Sequence, residues 1–274
     1  MLAGQIGVRN LAHYGGLEAA ATYIRQNLEQ QDYRVREQDF TVQGKTCRNL
    51  YTVLEGSDKT KPVIVIGAHY DTVSGSPGAD DNASGVAAVL ELARIMKEES
   101  TTRSIVFAFF PNEEAPYFRT ENMGSAQLAR SLKMQNLAMV GMISVETIGY
   151  YSDQPGSQKY PSGLASFYPH QGNFIGFVSD LHSRGLLHQA VAVFRGSTHF
   201  PSEAAALPGW VQGVGWSDQW AFWQIGVPAI MVTDTAPFRY PYYHTANDTS
   251  DKLDYDKMAR VVVGLKHVLT QLAQ

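Results

Sequence analysis

Only one cysteine, Cys47, occurs among the 274 residues. No intrachain disulfide can form, so the fold does not depend on oxidation. Cys47 reads as strand packing, where a free thiol behaves as a small hydrophobe. No run of about 18 apolar residues is present, so no segment is expected to span a membrane. The opening stretch "MLAGQIGVRNLAHYGG" lacks a charged region followed by an apolar one, and no signal peptide is expected. The expectation is a soluble chain, either cytoplasmic or a trimmed secreted or periplasmic domain. Basic residues are in deficit, with 22 Lys and Arg against 26 Asp and Glu. That balance gives no grip on phosphates and argues against a nucleic-acid partner. A G-x-S-x-G elbow is missing, which disfavours a serine hydrolase. Internal repeats and low-complexity segments are also absent.

What the chain does contain is a succession of apolar strands and amphipathic helices. Hydrophobic residues make up 44% of it, enough at this length to bury a full core. Residues 15–30 follow the i, i+3, i+4 rule of a helix through Ala20, Tyr23, Ile24 and Leu28. Residues 85–99 do so through Val86, Val89, Leu90, Ala93 and Met96, and a third helix closes the chain from residue 255. The stretches 33–42 and 47–56 read as strands rich in β-branched and aromatic residues. "KPVIVIGAHY" (61–70) is a continuous apolar run, as a strand covered on both faces requires. Further strands are expected in 104–114, 140–150, "NFIGFVSD" and "PAIMVTDT". Residues 151–172 and 197–220 have no clear period and are expected to be irregular. This pattern predicts an α/β fold, a three-layer α/β/α sandwich with a mixed, mostly parallel central sheet, in a single domain over 1–274.

Polar residues gather where the strands end. The 61–70 run ends in His69 and Asp71, the 104–110 run in Glu113 and Glu114, and the 140–145 run in Glu146. "GADDNASG" (78–85) brings Asp80 and Asp81, and "YYHTAND" brings His244. In open α/β sheets, ligands bind outside the carboxyl ends of the strands. Each residue has an ordinary explanation: a core histidine, a solvated acidic turn, or a cap from Asp80, Asp81 or Ser84 on the helix near Gly85. Together they fit a divalent cation better, since converging carboxylates repel one another and raise each other's pKa. Imidazole nitrogen and carboxylate oxygen are zinc ligands. Five candidates exceed the needs of one tetrahedral ion and suit two cations sharing a carboxylate, about 3.5–4 Å apart.

"AHYD", "GADDNASG", "NEE", "ISVETIGY" and "YYHTAND", in this order, resemble the M28 family of zinc-dependent aminopeptidases. The resemblance covers residues 60 to 250. It implies a co-catalytic site with two Zn2+ per chain, acting on peptides with a free N-terminus. On that resemblance His69 and Glu146 are ligands of one zinc, Glu114 and His244 of the other, and Asp81 bridges them. Glu113 matches the general base and Asp71 the acid that orients the His69 imidazole. Tyr243 matches an oxyanion-stabilising hydroxyl, with Tyr242 beside it as the competing choice. Two positions depart from the family: Glu146 stands where an Asp is usual, and Gln219 in "GWSDQWAFW" stands where a His is expected.

Rival activities on the same fold make different demands. A glutaminyl cyclase would keep a single zinc and an acid–base Glu. A carboxypeptidase needs arginines around its pocket; Arg119, Arg195 and Arg239 are expected in loops. A non-enzymatic relative would have lost ligands or the base, and none is missing. Tyr150, Tyr151, Phe167, Tyr168, Trp210, Trp216, Trp220 and Trp223 are candidates for a side-chain pocket and favour an apolar or aromatic first residue in the substrate.

Overall fold

The structure is a computed structural model describing residues 1–274. Its centre is an eight-stranded sheet in the order β1-β2-β4-β3-β5-β8-β6-β7. The strands are β1 (Arg36–Val42), β2 (Lys45–Leu54), β3 (Val63–His69), β4 (Ile105–Phe110), β5 (Met139–Glu146), β6 (Ile175–Ser179), β7 (Ser202–Ala206) and β8 (Ala229–Thr233). Pairs β3/β4, β3/β5, β5/β8 and β6/β7 are parallel, while β1/β2, β2/β4 and β6/β8 are antiparallel. The sheet is thus mixed, with parallel pairing concentrated at its centre. Strands β3, β4 and most of β5 are buried throughout, which is why they lack a polar alternation in the sequence.

Because side chains alternate along a strand, each strand feeds two cores. Ile64, Ile66 and Ala68 of β3 pack on one face with helices α1 (Tyr14–Gln30), α2 (Gly85–Met96), α4 (Arg184–Ser197) and α6 (Tyr255–Leu272). Val63 and Val65 point to the other face and pack with α3 (Gly124–Met134) and α5 (Gln219–Trp223). This is the expected three-layer α/β/α arrangement. No helix is long and apolar enough to cross a membrane.

The helix at 85–99 ends at Met96, and the irregular stretch 151–172 contains no strand or helix. The second stretch, 197–220, is only partly irregular: Ser202–Ala206 forms β7, an edge strand paired parallel to β6. Its sequence "SEAAA" lacks the branched and aromatic residues that mark a strand, and tertiary pairing supplies what local preference does not. Arg195, expected in a loop, lies in the last turn of α4.

Packing between α4 and α6 is close. A Cβ on Gly264 would lie 2.2 Å from Cε2 of Phe194, whose ring is fully buried and sits edge-on to Phe177 at 5.1 Å. Alanine gains about 1 kcal/mol of helix propensity over glycine, but overpacking costs about 1–3 kcal/mol. Gly264→Ala is therefore expected to destabilise the fold by up to about 2 kcal/mol net. A urea midpoint equal to that of the unsubstituted protein would show that the Phe194 ring moves aside freely.

Candidate metal centre

Strand β3 delivers His69 at its carboxyl end and β5 delivers Glu146 at the corresponding end two positions from Ser144, on the face shared with α3 and α5. The turn after β4 carries Glu113 and Glu114. The loop entering α2 carries Asp81, and the segment after β8 carries His244. Five chain segments that are distant in sequence thus meet at one sheet edge.

Asp81 divides its two oxygens between two histidines. His69 Nε2 lies 3.2 Å from Asp81 Oδ1 and 3.2 Å from Glu146 Oε2. His244 Nε2 lies 3.0 Å from Asp81 Oδ2 and 3.3 Å from Glu114 Oε1. Two trios result, His69–Asp81–Glu146 and Asp81–Glu114–His244, each with its donor atoms within 4.8 Å of one another. Both nitrogens of His69, Asp81 Oδ1 and Glu114 Oε1 are buried without a hydrogen bond. Buried polar atoms are ordinarily paired, so unpaired nitrogens and oxygens converging here fit a bound cation. Imidazole plus carboxylate is the donor set of zinc, and these residues can hold one or two such ions.

The charges reflect the same crowding. Burial, together with the Asp81 charge, pushes Glu114 up to about 8 despite the opposing pull of His244. Burial also holds Glu113 well above the carboxylate range, with Glu114 and Glu146 adding to the effect against His69. For Asp81 burial works upward too, but contacts with His244 and His69 override it and hold it below the usual range.

Glu113 belongs to neither trio; its Oε2 is 4.0 Å from His69 Nε2. Asp71 explains how the two acids are placed: its oxygens accept the N–H groups of Glu113 (3.0 Å) and Glu114 (3.1 Å). The same carboxylate lies 3.5 Å from His69 Nδ1. Tyr243 stacks on the His244 ring at 3.8 Å and borders a cleft beside Glu146. Tyr242 turns elsewhere, edge-on to Tyr240 and under Lys252.

The ordinary capping explanation does not hold. Neither Asp80, Asp81 nor Ser84 caps α2; Asn82 Oδ1 accepts the Gly85 N–H instead. Asp80 reaches the other way, accepting the Gly149 N–H at 2.8 Å and facing Asp234. Ser84 ties the Asp80 carbonyl to the Ile148 N–H. Both loop functions need side chains pointing away from the helix.

Several supporting residues were not assigned from the sequence. Asp248, inside the quoted "YYHTAND", accepts the N–H groups of Asp80 and Asp81 and the Tyr240 hydroxyl. Ser217 donates to Glu146 Oε2 at 2.6 Å. Buried Arg9 donates to the carbonyls of Tyr70, Pro77 and Gly78, clamping the loop before Asp80. Asp218 is fully buried with both oxygens unpaired. Gln219 is buried and donates to the Val214 carbonyl at 3.0 Å. The arginines a carboxylate pocket would need are engaged: Arg239 with Gln158 and the Phe174 carbonyl, Arg195 with Ser202, Arg119 with the Gly215 carbonyl.

The cleft beside Glu146 is mainly apolar. Of the aromatic candidates, Tyr168 and Trp216 line it. Phe167 and Trp210 are exposed, Tyr151 packs on Phe200, and Trp223 is tied to the Ala229 carbonyl.

Comparison with known proteins agrees with this picture. YfbL of Escherichia coli strain K12 is 38% identical over 266 residues, covering 94% of this chain and 81% of that protein. Leucine aminopeptidase 1 of Arthroderma otae is 25% identical, covering 79% of this chain and 56% of that protein. Among solved structures, LapA of Legionella superposes with a TM-score of 0.78 at 23% identity, over 99% of this chain and 70% of its own; this shows a shared fold. The family model "Peptidase family M28" matches residues 49–268, which span every residue of both trios. The chain belongs to peptidase family M28.

Proposed function

We propose that the chain is a zinc-dependent aminopeptidase that removes the N-terminal residue of peptides at a two-cation site. One observation carries this reading: two buried His–carboxylate trios share Asp81, one oxygen to each histidine, at the edge of an apolar cleft. The similarity to a leucine aminopeptidase supports the exopeptidase class. His69, Asp81 and Glu146 would hold one Zn2+, and Asp81, Glu114 and His244 the other. Bound there, the cations lower the pKa of water and polarise a carbonyl.

The remaining work falls to the chain's own side chains. Glu113 accepts the proton of the attacking water on its carboxylate and returns it to the leaving amine. Asp71 positions that base through the Glu113 N–H. The Tyr243 hydroxyl donates to the developing oxyanion. Glu113 and Glu146 form an acidic lip that pairs with the free α-ammonium of the substrate, so blocked and internal bonds are refused. Ser217 fixes the longer Glu146 side chain through its Oε2, which offsets the extra methylene relative to Asp.

The test compares an aminoacyl amide with its N-acetylated twin, each with chelator and with zinc add-back. Cleavage of the free-amine substrate alone, lost with chelator and restored by zinc, is the expected result. Cleavage of the acetylated twin at a similar rate would remove the amine-recognition role of Glu113 and Glu146.

A further inference from the structure

The apolar cleft beside Glu146 contains a second carboxylate at its far side, Glu203 of β7. Register fixes how the two acids are related. Glu146 pairs with Thr233, Thr233 with Gly176, and Gly176 with Glu203. These four residues form one row across four neighbouring strands. Residues in one row share a face of the sheet, and all four line the cleft. Helices α3 and α5 cover this face elsewhere. Three strand spacings put the Glu146 and Glu203 backbones about 14 Å apart.

Between the acids the row carries only the small residues Thr233 and Gly176. Gly176 adds no side chain to the row, and a Cβ there would meet the Thr233 carbonyl at 3.2 Å and the Thr235 and Thr233 methyls at 3.5 and 3.8 Å. The walls include Val178, Met231 and Phe238. Glu203 itself is half-buried and makes no hydrogen bond or ion pair. Arg195, the cation whose charge acts on Glu203, is committed to Ser202. Burial raises the Glu203 pKa, with Arg195 opposing. An acid held in an apolar cleft without a partner fits a cation brought by a ligand.

Resting on the aminopeptidase reading, we propose that Glu203 selects substrates whose first residue is lysine or arginine, by pairing with the side-chain cation. The chemistry and the length agree. The apolar walls take the aliphatic stem, as long basic side chains require. An extended lysine spans roughly 7 Å between its two nitrogens. With a contact of about 2.8 Å at each end, it bridges carboxylate oxygens roughly 12–13 Å apart. One acid of the row then holds the α-ammonium and the other the side-chain ammonium. Glu203 thereby replaces the apolar or aromatic first residue expected from the aromatic composition of the loops.

Lysine and norleucine amides differ in the terminal ammonium, which norleucine lacks, so their ratio isolates Glu203. For the zinc-loaded protein, kcat/KM for the lysine amide should exceed that for the norleucine amide about tenfold, the scale of a partly exposed charge-assisted contact. In Glu203→Gln the ratio should fall to about one, and Glu203→Lys should invert it. Calorimetric binding of free lysine and norleucine to the same proteins supplies a readout independent of turnover. Lysine binding that is stronger than norleucine binding and depends on Glu203 supports the assignment even if no amide is cleaved, in which case the aminopeptidase reading falls alone. Amide cleavage with a norleucine preference that Glu203→Gln leaves unaltered overturns the assignment and spares the reaction.

Discussion

Glu113→Gln is expected to lose about a thousandfold in kcat while keeping its full complement of zinc, within the range that general acid–base groups contribute. The substitution is isosteric; it removes the ability to take up a proton and, with it, the charge Glu113 lends to the acidic lip. Glu113 contributes no atom to either trio, so metal content should not change. Its backbone N–H remains bound to Asp71, so the adjacent Glu114 keeps its place. Burial makes the distinction sharp: a side chain 8% exposed leaves little room for bulk water to substitute for the missing base. Metal analysis and steady-state kinetics on the same preparation provide the check. A variant with intact zinc and the unsubstituted rate would sink the base assignment; one with reduced zinc would make Glu113 a ligand instead.

The candidate site was more legible than its supports, and the reason is physical. His69, Glu113, Glu114 and Glu146 follow continuous apolar strands, where a charged residue contrasts sharply with its neighbours. Strands β3 and β4 were legible for the same reason, since burial on both faces leaves no polar position to blur them. Arg9, Ser217 and Asp248 act through contacts 61 to 168 residues away in sequence, such as Arg9 to the Tyr70 carbonyl and Asp248 to the Asp80 N–H. Nothing local distinguishes them from surface residues. Strand β7 was hidden because alanine carries no strand signal, and with it went the position of Glu203. That residue gains meaning only when β6 sets Gly176 beside it and β8 extends the row to Glu146.

The adjacent aspartates of "GADDNASG" offer the second large effect. On the proposed two-zinc reading, Asp81→Asn is expected to lower bound zinc from two per chain to one or none and to reduce kcat/KM by about a thousandfold or more. Asparagine keeps one oxygen and replaces the other with an NH2 group, which cannot ligate a cation. Asp81 uses both oxygens, Oδ1 toward His69 and Oδ2 toward His244, so whichever oxygen survives serves one trio only. Losing the negative charge would also leave two cations held there less neutralised and weaken the remaining site. Asp80→Asn is the control on the same loop. Its Oδ1 accepts the Gly149 N–H, and its other oxygen faces Asp234. An asparagine retains the acceptor and can donate its NH2 to Asp234, so both zincs and most of the activity should survive. Zinc stoichiometry by elemental analysis separates the pair. If Asp81→Asn still binds two zincs, the two trios do not depend on a shared carboxylate. If Asp80→Asn loses them as well, the whole loop, rather than one bridging side chain, sets the metal positions.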